Sequence, residues 1–320
     1  MKNLTAILIF WLSALLAIAQ QKPHYTQYFQ NMAVLNPAIT GVNHSVTVMA
    51  GLRNQWLGFE NAPKTSYLTV NMPINTGNSQ SGFVDYGVTE PPTRDDRDDY
   101  EASYSHHGVG ALALSDKTGP LSRTTFNLTY AYHININDMM NLATGVGVGI
   151  NQVSLNTEEL RFKTEGDLVV GSGGNLKKIT PDLNAGIYLY GSSFYISASV
   201  QQVLNQSLSF GEGYTSGKEK PHYFAGGGYR IWLNNDFSLT PSLMLKYIKP
   251  LPFSYDVNAK LAYRNNFWMG LSVRHKDSSA AMMGFTIAKT ATLGYAFEYT
   301  NSKFQSTNSG SHEIVLGLNF

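Results

Sequence analysis

The sequence predicts an all-β fold: a transmembrane antiparallel β-barrel of about 14 strands, preceded by a short N-terminal segment. Three observations carry this. Period-two alternation of apolar with small or polar residues recurs almost everywhere after residue 44, in segments of about ten residues, the length that crosses an outer membrane at a tilt. Only 14% of the residues are charged, against about 25% in soluble domains, while Tyr (19), Phe (16) and Gly (29) are plentiful, so a large surface faces something other than water. The connections between alternating segments are short and long by turns, as outer-membrane barrels require.

The N-terminus places the chain in the envelope. Lys2 precedes an apolar stretch from Leu4 to Ile18 that closes on Ala17, Ile18 and Ala19, the pattern of a secretory signal peptide cleaved after residue 19. Without Lys2, 22 basic residues face 22 acidic ones, and a neutral chain gives no electrostatic reason to expect nucleic acid. Cysteine is absent, so an exported chain of this size depends on packing and backbone pairing and suits a bacterial envelope better than a small disulfide-stapled secreted domain. After the signal there is no run of 18 or more apolar residues, which argues against a helical membrane protein.

Residues 20–44 form the N-terminal segment, which either plugs the lumen or lies in the periplasm, and 45–320 form the barrel. Strands are expected near 45–54, 65–74, 107–115, 122–134, 141–153, 182–191, 193–203, 222–233, 236–248, 253–264, 266–275, 279–288, 291–300 and 311–320. The clearest has Phe126, Leu128, Tyr130, Tyr132 and Ile134 facing out and Thr125, Asn127, Thr129, Ala131 and His133 facing in. An even strand number puts both termini on one side of the membrane.

With the first strand running outward, the periplasmic turns are short and rich in Asn, Asp or Gly, as at 135–138, 191–193, 234–236 and 265–266. The outer loops at 154–181, 204–221 and 301–310 are longer. One connection breaks the rule. Residues 75–106 are long yet periplasmic, and contain an acidic insertion at about 83–105, with seven acids against two arginines between Asp85 and Glu101. Its spacing has no EF-hand order, and its charge density predicts a solvated loop and not a calcium site.

The last segment, HEIVLGLNF, puts Ile314, Leu316, Leu318 and Phe320 on one face. A final strand with a terminal aromatic resembles the recognition signal of proteins inserted by the outer-membrane assembly machinery, with Phe320 facing lipid.

Signals for catalysis are poor. Gly145, Gly147 and Gly149 have strand spacing and no strand-to-helix context, so they read as small residues facing a barrel interior. His106 and His107 are adjacent and point to opposite faces of a strand. No G-x-S-x-G appears. No catalytic residue, metal or cofactor is expected.

From His24 to Ile74 the motifs become specific: Gln27-Tyr28, Asn36-Pro37-Ala38 with Gly41, then Arg53, Gln55 and Trp56, Gly58-Phe59, and Ala62-Pro63 with Thr65. Together with GVGALALSDKTGP (108–120) and the terminal strand, these resemble the PorP/SprF family of Bacteroidetes outer-membrane proteins, which serve type IX secretion and gliding motility. The acidic insertion departs from that pattern. The resemblance implies a non-enzymatic component that assists export or surface anchoring of a cognate secreted protein, such as an adhesin with a C-terminal sorting domain. It also implies contact with periplasmic or lipoprotein components in the outer membrane. Gln27, Tyr28, Asn36, Pro37, Ala38, Gly41, Arg53, Gln55 and Trp56 are the candidate plug or partner-binding residues. The competing reading, a FadL-like channel for hydrophobic small molecules, shares the strand number and a long N-terminal segment.

Overall fold

The structure is a computed structural model that describes residues 25–43, 45–74, 102–159, 175–206, 218–264, 266–287, 290–301 and 308–320. The expected signal peptide and the acidic stretch as far as residue 101 lie outside the described residues.

One antiparallel sheet closes on itself. In chain order its staves are β1 (Thr47–Asn54), β2 (Lys64–Ile74), β3 (His106–Thr118), β4 (Leu121–Asn137), β5 (Met140–Asn156), β6 (Asn175–Gly191) and β7 (Phe194–Gln201). There follow β8 (His222–Tyr229, continuing in Ile231–Trp232), β9 (Phe237–Ile248), β10 (Ser254–Tyr263), β11 (Phe267–Arg274), β12 (Ser278–Ile287), β13 (Ala291–Thr300) and β14 (Ser311–Asn319). The ring is sealed by β1 against β14, from Thr47↔Asn319 to Asn54↔His312. The interruption in β8 has a local cause: Pro241 falls opposite Tyr229 between the paired stretches and has no N–H for the ladder. On its other side the strand runs through the break, with the Arg230 N–H donated to Ser193 O. The barrel therefore has 14 staves, each expected from the alternation.

Alternation sorts the side chains as membrane physics demands. Leu128, Leu52, Leu271 and Ile179 project outward at about 60% exposure, onto the surface that meets lipid. The opposite rows, such as Thr125, Asn127, Ala131 and His133 on β4, are buried in the interior. Closure leaves no sheet edge in the hydrocarbon, where an unpaired N–H or C=O would cost several kcal/mol (order of magnitude).

The ends of the barrel differ. Where β1 starts and β14 ends, the turns are short, at Asp138-Met139, Ser192-Ser193 and 233–236; at the other end run 157–174, 202–221 and 301–310. We take the short-turn end as periplasmic. The exception is the 75–105 connection, whose last residues are tied back to the β4–β5 turn: Ala102 N donates to Asp138 O, and Asn135 and Asn141 both donate to Ser103 O. Excision of 83–101 that spares 102–105 should leave the heat-modifiable folded band unchanged on gels. Loss of that band would show that the stretch carries part of the fold.

The last residue belongs to the seal. Phe320 N donates to Val46 O (2.9 Å) and Val46 N to Phe320 O (3.2 Å). Its ring is 74% exposed, in the same outward row as Ile314 and Leu316. Phe320→Ala should lower the amount of barrel assembled in the outer membrane several-fold. Wild-type abundance of the variant would remove any assembly role for the terminal aromatic.

Candidate functional site

Residues 25–43 precede the first stave yet are rich in apolar and amide side chains with no lipid to face. Two 3-10 turns, Met32–Val34 and Pro37–Ile39, compact them. Asn36 is extended, as a residue before proline prefers, and its Oδ1 accepts from Ala38 N at 2.9 Å, capping the turn that Pro37 opens. Tyr25, Tyr28, Met32, Val34, Leu35, Ala38 and Val42 are all buried, packed with inward residues such as Met49, Tyr67, Tyr188 and Met244.

The segment's polar groups are met by inward rows on staves around the ring. Near the outer ends of β1, β13 and β14, Glu313 accepts from Thr26 N (2.8 Å) and Gln27 N (3.0 Å), and Thr26 Oγ1 donates to Glu298 (2.6 Å). Arg53 is 1% exposed and holds both carboxylates, Glu298 at 3.0 Å and Glu313 at 3.1 Å, while donating to Thr26 Oγ1. The belt continues through Arg274 to Asp256 (3.1 Å) and on to Lys246 (2.6 Å), with Arg274 also 3.4 Å from Glu298. Three cations thus alternate with three carboxylates along one inner wall, in a water-poor interior where an unpaired member would be costly.

Midway, Asn258 on β10 donates to the Tyr28 hydroxyl, and Asn31 donates to Thr69 on β2 (2.9 Å). Asn36 Nδ2 donates to Ile187 O and Ser197 Oγ, each at 2.9 Å, while Ser199 and Gln201 on β7 donate to Leu35 O and Val34 O. At the periplasmic ends of β3 and β4, the His106 and His133 rings stack with centroids 4.3 Å apart. Their Nε2 atoms lie 3.0 Å from Gly41 O and 2.9 Å from Thr40 O. Thr40 Oγ1 donates to Thr129 Oγ1 at 2.8 Å. The segment therefore runs from the charged belt near the outer ends of the staves to the stacked histidines at the inner ends. Cavities beside it, of about 40 and 30 Å³, have room for a few waters only.

Two contacts leave no space for a β-carbon. At Gly145 on β5, an added Cβ would overlap the backbone of Pro37 and Ala38. At Gly108 on β3 it would overlap Thr40 and Gly41, and Gly41 itself has a φ of +84°. Of the strand-spaced glycines expected to line the interior, Gly145 is thus a contact point for the segment, whereas Gly147 and Gly149 face side chains and backbone of neighbouring staves.

Of the residues singled out in the sequence, Gln27, Tyr28, Asn36, Pro37, Ala38, Gly41 and Arg53 are brought together by these contacts. Gln55 and Trp56 lie past the end of β1 on the outer connection, where Gln55 N donates to Pro63 O and Trp56 N to Ser311 Oγ. Sequence reasoning missed Glu298, Glu313, Arg274 and Asp256. Their signal is parity: each is a charge on an inward row near the outer end of its stave, although Asp256 shares its row with Lys260.

A family model described as type IX secretion system membrane protein PorP/SprF matches residues 17–318. The chain belongs to the PorP/SprF family. No curated protein matches it. Among solved structures, it is similar to the toluene transporter TbuX of Ralstonia pickettii, at 11% identity and a TM-score of 0.50 over 90% of this chain and 92% of that one. The CymD monoaromatic hydrocarbon channel follows at 10% identity and 0.49, with 95% of each chain covered. Omp33 of Acinetobacter baumannii stands at 8% and 0.47, over 88% of this chain and all of that one. The likeness to TbuX concerns the fold alone. This PorP/SprF barrel is a membrane component of type IX secretion, and closed strands of this kind place it in the outer membrane.

Proposed function

We propose that the protein works without catalysis, as a binding scaffold that assists export or surface retention of one cognate secreted protein, such as an adhesin with a C-terminal sorting domain. In this reading residues 25–43 act as a resident plug. The observation that carries it is the matched set of polar contacts on that segment, from Thr26 on Glu313 to Thr40 under His133, with cavities of about 40 and 30 Å³ beside it among the described residues. A scaffold needs a wall that holds its shape and an outer mouth that presents side chains; a conduit needs a continuous lumen. Deleting the gene and comparing secreted and surface proteomes tests the reading. One cargo, or a small cognate set, should disappear from the surface while cell-envelope composition stays normal.

The second reading is a channel for hydrophobic small molecules, favoured by the barrel shared with TbuX, which is a toluene transporter. It predicts an unchanged surface proteome on deletion and slower uptake of an aromatic hydrocarbon such as toluene.

A further inference from the structure

The outward surface of most staves is a convex belt of large apolar side chains. Between β6 and β9 it is concave, a groove of about 580 Å³. The registers explain it. One rung runs Ala185, Val200, Tyr223, Tyr247 and the next Ile187, Ala198, Ala225, Leu245, each across four adjacent staves. Small side chains therefore fall together in the middle, and Ile187, Tyr223 and Tyr247, with Phe253 from the β9–β10 connection, stand around them as walls. The two tyrosine rings lie 6.2 Å apart and are half exposed. Tyrosine with an apolar body and a polar tip belongs at the level where hydrocarbon meets headgroups.

Charge lies just beyond that level. Ile248 pairs with His222 at the outer end of this ladder, so Lys249 and Lys220 follow one and two residues past it. Both lysines are exposed. The acidic residue between Lys218 and Lys220 does not oppose them: Glu219 is 6% exposed and turned inward, its carboxylate 2.6 Å from Asn151 Nδ2 and 3.5 Å from Arg123. From membrane to solvent, the order is an apolar groove, a tyrosine pair and two cations.

We propose that this groove holds an acyl chain of an outer-leaflet lipid whose phosphorylated headgroup is bound by Lys220 and Lys249. The groove is open to the bilayer, so hydrocarbon reaches it without crossing a polar barrier, and a phosphate above the tyrosines is the group that complements two lysines. The site faces away from the lumen and is independent of the proposed plug.

Native mass spectrometry of the purified barrel tests it, with dioleoyl phosphatidylglycerol and dioleoyl phosphatidylcholine titrated separately as probes. The wild-type barrel should retain one phosphatidylglycerol above the background set by phosphatidylcholine. Lys220→Gln combined with Lys249→Gln should weaken that retention roughly tenfold or more at low salt, and by less at high salt, without changing phosphatidylcholine retention. Ala198→Trp, which fills the groove, should abolish the extra lipid; heat-modifiable mobility confirms folding, and if this variant fails to fold, the lysine pair decides alone. Equal retention of the two lipids, or wild-type retention by the double lysine variant, overturns the proposal. So does a dimer that Ala198→Trp disrupts, since a second copy would then occupy the groove.

Discussion

Replacing Arg53 by Ala should leave the barrel inserted but release the N-terminal segment. The lipid-facing row of β1 is untouched, so outer-membrane abundance and the heat-modifiable band should match wild type. Inside, Glu298 and Glu313 lose the guanidinium that bridges them at 3.0 and 3.1 Å, and Thr26 loses a donor. Removing one partner of a buried ion pair costs about 3–5 kcal/mol, because a buried charge is left uncompensated. The local remedy is to open the interior to water, which requires the segment to lift off Glu313. Protease should then cut between Tyr25 and Gly41, where the wild-type chain should resist, and surface cargo should fall with it. Arg53→Lys keeps a charge but has no planar fork to span two carboxylates, so it should fall between the two. Wild-type protease resistance in Arg53→Ala would break the link between the belt and the segment.

A second large effect is expected at Gly145, where β5 touches Pro37 and Ala38. Gly145→Leu puts four carbons into space already filled by backbone, and overpacking of this kind cannot be relieved by a side-chain rotation. The wall is held by a long ladder on both sides, Gly145 pairing with Ala131 and with Gly186, whereas the segment is held by scattered contacts. The segment should yield first. Accordingly, a folded, inserted Gly145→Leu barrel should show the same new protease cleavage as Arg53→Ala. Gly147→Leu, at the next inward position of the same stave, lies where an added Cβ meets Thr129 and Asn184 side chains and not the segment, and should perturb it less.

Much of this architecture is written in local pattern. A strand in a membrane barrel has one row toward lipid and one toward the interior, so period-two alternation reports both its existence and its facing; Phe126 to Ile134 and Ile314 to Phe320 needed no tertiary information. The same parity puts Arg53 on the buried row of β1 with Thr47, Met49 and Gly51. Its partners were not legible, because closure joins Arg53 to residues 245 and 260 positions away, and nothing local to Glu298 or Glu313 says which staves become neighbours across the seam. The family resemblance groups Gln55 and Trp56 with Arg53, and the fold separates them. The chain leaves the ladder after Asn54, and the two residues pass to the outer connection while Arg53 turns inward. Gly145 was readable as an inward small residue, but its partner belongs to an irregular segment with no periodicity to read.

The chain has no cysteine, which permits a direct test of whether residues 25–43 occupy the barrel interior. Thr40 and Thr129 have side-chain oxygens 2.8 Å apart, one on the segment and one on the inward row of β4. In cells carrying Thr40→Cys together with Thr129→Cys, mild oxidation should yield the disulfide-linked peptide pair by mass spectrometry, and Thr40→Cys with Leu128→Cys, one residue away on the lipid-facing row, should not. A folded, inserted Thr40→Cys/Thr129→Cys barrel in which both thiols stay free, or in which the Leu128→Cys pair cross-links equally well, would contradict an occupied lumen.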